Sequence, residues 1–72
     1  MDGLTVGRMV HFMCGEVHRA AIVVDVQDKE KGIVTLFVFS LPQDQCGGFF
    51  MNINSEYSES LNDSTWHWIE KA

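Results

Sequence analysis

The sequence predicts an all-β domain, a small sheet of five strands closed on itself. Three observations carry this. Apolar residues alternate with polar ones at a period of two along several short runs. Those runs are separated by turn-forming clusters rich in Gly, Asp and Asn. And 72 residues leave room for one domain only, too small for a two-sheet sandwich.

The first strand is expected over residues 6–13, where Val6, Val10 and Phe12 form an apolar row interrupted by Arg8. Cys14-Gly15-Glu16 breaks it. The second is expected over residues 19–26, with Ala20, Ile22, Val24 and Val26 on a wholly apolar face and Arg19, Ala21, Val23 and Asp25 on the other. Residues 27–32 are charged and end on Gly32, the pattern of a hairpin loop. Residues 33–40 are β-branched and aromatic, as a central strand requires, with Leu36 and Val38 on one side and Phe37 and Phe39 on the other. Residues 41–48, which hold the only proline and a Gly-Gly pair, read as a loop, and residues 49–54 as a short strand. The polar run 55–64 reads as a loop or a single helical turn. A last strand follows from Thr65, with Trp66 and Trp68 on one face and His67 on the other. Five strands with these connections fit an SH3-like barrel, which leaves few open sheet edges. An OB-like barrel is second, because it needs a longer chain and an inserted helix.

Charge and length exclude several functions. Ten acidic residues against five basic give a net charge of −5, the wrong sign for a phosphate-binding surface, so no nucleic-acid partner is expected. No apolar stretch is long enough for a membrane helix, and the first residues lack the pattern of a secretory signal. The expectation is a cytoplasmic domain with no membrane partner. In that setting Cys14 and Cys46 are expected as reduced thiols; a bridge between them would close a loop of about 30 residues.

Val10-His11-Phe12, Arg19-Ala20-Ala21-Ile22-Val23, the strand from Gly32 to Leu36 and Thr65-Trp66-His67-Trp68 occur in that order. Together they resemble a family of small proteins encoded by bacteriophages and bacterial genomes. Its members carry a Val-His-Tyr, a Cys-Arg-Ala-Ala-Ile-Val and a terminal Thr-Trp-His-Trp-Pro-Glu. Here Phe12 replaces the tyrosine, His18 the cysteine and Ile69 the proline. The resemblance implies a phage or mobile-element context rather than a particular chemistry.

Candidate site residues come from the ends of the chain. In such a barrel the first and last strands are neighbours, so His11 and His67 fall side by side, with Arg19 on the second strand and Trp66 or Trp68 next to them. Such a surface suits a carboxylate, a phosphate or a proton near neutral pH. One tryptophan at least is expected to plug the core. Tyr57 is the only tyrosine, too few for a polyproline groove. Walker, dinucleotide and nucleophile-elbow motifs are absent, and no cofactor is implied. The leading reading is a noncatalytic module that binds a host protein or a small ligand. Apolar residues on both sides of the third and fourth strands (Phe37, Phe39, Phe49, Phe50, Met51) point to a homo-oligomer. A small oligomeric enzyme or ligand-sequestering protein, with the same histidines lining a pocket between subunits, is the alternative. A domain stabilised by metal at Cys14, His18 and Cys46 is the third reading.

Overall fold

A computed structural model describes residues 1–70. Among these there is no helix, and five strands close a barrel in the order β1-β2-β3-β4-β5. They are β1 (Met9–Cys14), β2 (Val17–Asp28), β3 (Ile33–Phe39), β4 (Phe50–Tyr57) and β5 (Thr65–His67). All neighbouring strands pair antiparallel except β4 and β5, which run parallel. The all-β, five-stranded SH3-like architecture read from the sequence is therefore the architecture found.

The hairpin joining β1 to β2 is a two-residue loop. Gly15 occupies its first central position with φ +63°, where a side chain would strain the backbone and glycine does not. β2 is long and bends at two bulges, between Val23 and Asp25 and between Val26 and Asp28. Bulges of this kind increase local twist, which lets a short sheet curl far enough to close.

The interior is a single cluster of Leu4, Val10, Phe12, Cys14, Ala21, Val23, Val34, Leu36, Val38 and Trp66. Trp66 is fully buried, and its indole Nε1–H donates to the Gly32 carbonyl at 2.8 Å. That bond satisfies the one polar atom of the largest core side chain and ties β5 to the turn between β2 and β3. Trp68 packs edge-on against Trp66 at 5.1 Å and carries the Arg8 guanidinium over its ring at 5.3 Å.

Several details depart from the sequence reading. The inward face of β2 is Ala21 and Val23, not Ala20, Ile22 and Val24; the bulge after Val23 then returns Val26 to the interior. Alternation favours the wholly apolar face, but Ala21 and Val23 make the other face apolar at the centre of the strand, between Arg19 and Asp25, and that centre is what packs inward. Val6 is 64% exposed and precedes β1; Leu4 fills the core position instead. Strand β4 runs on to Tyr57, into the stretch expected to be a loop, and buries Ser55.

The cysteines are not free thiols: Cys14 and Cys46 are joined by a disulfide. Their Cα atoms lie 5.6 Å apart, within the span a bridge needs. The bridge pins residues 40–49 to the end of β1. Arg19 and Asp44 clamp the same loop with two parallel hydrogen bonds, Nε to Oδ2 at 2.6 Å and Nη2 to Oδ1 at 2.8 Å.

Candidate functional site

The register of three strands assembles the site. In β1, Val10 and Phe12 point inward, so His11 between them points outward. Its direct partner on β5 is His67 and its direct partner on β2 is Ala20. His18 lies two residues from Ala20 and therefore on the same face, diagonal to His11. The small Ala20 side chain leaves room between them. Glu70 follows β5, three residues beyond His67.

These four side chains meet. His11 Nδ1 lies 2.6 Å from Glu70 Oε1, His18 Nδ1 2.9 Å from Oε2, and His67 Nε2 3.0 Å from Oε1. His18 Nδ1 and His67 Nε2 are 3.2 Å apart. The rings stand nearly perpendicular to one another, at 84°, 81° and 82°. Exposure grades across the cluster. His67 is 5% exposed, His11 and His18 are partly buried, and the Glu70 side chain is 47% exposed at the rim.

Desolvation raises the Glu70 carboxyl. Hydrogen bonds from its own backbone N–H, from His11 and from His67, with the charge on His67, outweigh this and hold it at about 2. Glu70 is thus a carboxylate throughout the physiological range. A groove of about 450 Å³ opens beside the cluster. Tyr57, Leu61, Trp68 and Ile69 supply its apolar wall, and Glu59, His67 and Glu70 its polar groups. A mostly apolar wall with a few polar groups is the usual make-up of a small-molecule site.

Comparison of the chain with protein-family models, curated proteins and solved structures finds no match in any of the three. The site is therefore interpreted from its own geometry.

Of the residues singled out in the sequence, His11 and His67 are cross-strand neighbours as expected. Trp68 lines the adjoining groove. Trp66 is 0% exposed and supports the site from below without presenting a surface to a ligand. Arg19 is engaged by Asp44. It follows His18 along β2, so the two side chains leave opposite faces of the strand. The metal set Cys14, His18 and Cys46 does not form, because the disulfide consumes both thiolates. Two residues of the cluster were missed. The sequence reading places His18 in a metal set with Cys14 and Cys46, with His11 and His67 as possible partners, rather than on the recognition face, and Glu70 in neither. The available signal was the i, i+3 spacing of His67 and Glu70; the diagonal position of His18 follows from the β1–β2 register.

Proposed function

We propose that this barrel is a noncatalytic binding module whose recognition face is His11, His18, His67 and Glu70 together with the groove beside them. One observation carries the reading: three strands and the segment after β5 deliver four polar side chains to one partly open point, with an apolar groove alongside. Rigid strands set the positions, so binding requires little ordering. The resemblance noted in the sequence supports an accessory role in a phage or mobile element, with a host protein or a small ligand as partner.

A native mass spectrum of gently purified, untagged protein tests the reading. It expects an adduct on the wild-type chain that is lost in His11→Ala and His18→Ala. Wild-type protein without an adduct, or one retained by both variants, overturns it.

A second reading, a homo-oligomer, rests on the outer face of β3 and β4. Phe39 packs edge to face against Phe37 and Phe49, and Phe37 and Phe49 are tilted to each other, with centroids 5.2–6.2 Å apart. Phe49, Met51 and Ile53 are more than half exposed. A second copy of the same uncharged surface is the occupant that suits it. Sedimentation equilibrium at micromolar concentration tests this: a dimer in the wild type and a monomer in Phe49→Ser/Met51→Ser is expected, and a wild-type monomer refutes it.

A further inference from the structure

The geometry points to a divalent transition-metal ion of the zinc class, held by His11 Nδ1, His18 Nδ1, His67 Nε2 and the Glu70 carboxylate. This inference rests on the reading of the same face as the binding surface, and it names the occupant.

The donor set comes first. Imidazole nitrogens with one carboxylate suit zinc, cobalt, nickel and copper(II), whereas magnesium and calcium prefer oxygen alone. The four residues offer donor atoms that all lie within 4.8 Å of one another.

Ring placement is the stronger constraint. With a zinc–nitrogen distance of ~2.0–2.1 Å, a ring centroid sits ~3.2 Å from the ion, and two rings at a tetrahedral angle have centroids ~5.2 Å apart. The three observed separations are 5.6, 5.6 and 4.9 Å. The same ion would hold its donor atoms ~3.4 Å from one another. The direct contacts are 2.6–3.2 Å, so small outward shifts make room at the centre.

Hydrogens alone can hold the cluster: His11 Nδ1, His18 Nδ1 and His67 Nε2 each lie within donating distance of a Glu70 oxygen, at 2.6, 2.9 and 3.0 Å. A cation at the centre would replace those three bonds with direct contacts to donor atoms of the same four side chains.

His67 Nδ1, which is buried with no partner, sets a limit on affinity. Metal on Nε2 requires the proton on Nδ1, and an unpaired buried N–H weakens binding by roughly ten- to a hundredfold relative to a site with a hydrogen-bonded outer shell. The predicted site is therefore exchangeable rather than permanently filled. The exposed Glu70 side chain marks the route of entry.

The test uses untagged full-length protein, freed of metal by chelator and titrated with zinc chloride by calorimetry and with cobalt chloride by visible absorption. Expected results are one ion per chain, the absorption bands of four-coordinate cobalt, and a zinc-dependent rise in thermal midpoint. His18→Ala and Glu70→Gln, at the more exposed positions, should fold and lose affinity by at least about tenfold. His67→Ala is avoided, since His67 is nearly buried. Folded wild-type protein that takes up no zinc, or binding unchanged in both variants, overturns the assignment. A non-metal adduct that is lost in His18→Ala while zinc fails to bind would refute the metal and leave the binding face standing. Loss of both would refute the two together.

Discussion

Reduction of Cys14–Cys46 is the perturbation whose size the structure sets most directly. The bridge joins residues 32 apart in sequence. In the chain-entropy treatment, closing a loop of that length in the unfolded chain is worth about 3.7 kcal/mol at 25 °C. A domain of 72 residues has a total stability of about 4–11 kcal/mol. Reduction therefore removes a third or more of it, and the midpoint of thermal unfolding should fall by roughly 15–30 °C. The folded state is disturbed little, because Arg19–Asp44 and the Asp44–Leu41 backbone bond hold residues 40–49 in place without the sulfurs. Urea unfolding followed by tryptophan fluorescence, with and without a phosphine reductant, measures the loss. The dependence on urea should also steepen on reduction, since an uncrosslinked unfolded chain exposes more surface. A loss below about 1 kcal/mol with no change in slope would show that the bridge does not constrain the unfolded chain in this way.

Trp66→Phe removes the indole donor to Gly32 and leaves a buried carbonyl and a gap; denaturant titration should register a loss of roughly 2–4 kcal/mol, and a loss under about 0.5 kcal/mol would show that this bond contributes nothing. Gly32→Ala places a Cβ 2.8 Å from Tyr57 Cβ at φ +73°, so a clear drop in melting temperature is expected, and an unchanged one would contradict the packing around Trp66. Asp44 is held below its ordinary value of 3.8 by the Arg19 hydrogen bond first and the Leu41 N–H second. Its contribution is present above that value and disappears as pH falls through the lowered one. Asp44→Asn should accordingly flatten the acid side of a stability–pH curve below that value, and an identical acid slope would refute it. Alkylation of protein in whole cells before lysis reports whether the thiols are bridged there; two blocked cysteines would place the protein where it was expected from sequence, and none would favour an oxidising location.

The strands were legible because their composition leaves few alternatives. Residues 33–40 are too short for a typical helix and rich in β-branched and aromatic side chains, and they became β3 almost unchanged. The register was not legible. In β2 each face carries enough apolar residues to be the inner one, and the decision falls to the bulge at Val24, which depends on how β1 and β3 fit against it. The disulfide escaped for a related reason. Its formation needs the Cys14 and Cys46 backbones within reach, and a loop of unknown course hides that distance.

The site was half legible. That His11 and His67 sit side by side follows from topology alone, because the first and last strands of the barrel pair and each histidine is flanked by inward-facing apolar residues. His18 could be added only once β1 and β2 were in register, since a slip of one residue would send it to the opposite face with Arg19. The observed register, Met13 opposite His18 and His11 opposite Ala20, is set by the two-residue turn at Gly15-Glu16. Gly15 is thus a remote determinant of the site: its φ of +63° permits the tight turn, the turn sets the pairing, and the pairing puts the third imidazole beside the other two. A longer turn at this point would leave the barrel its strands and deprive the cluster of His18.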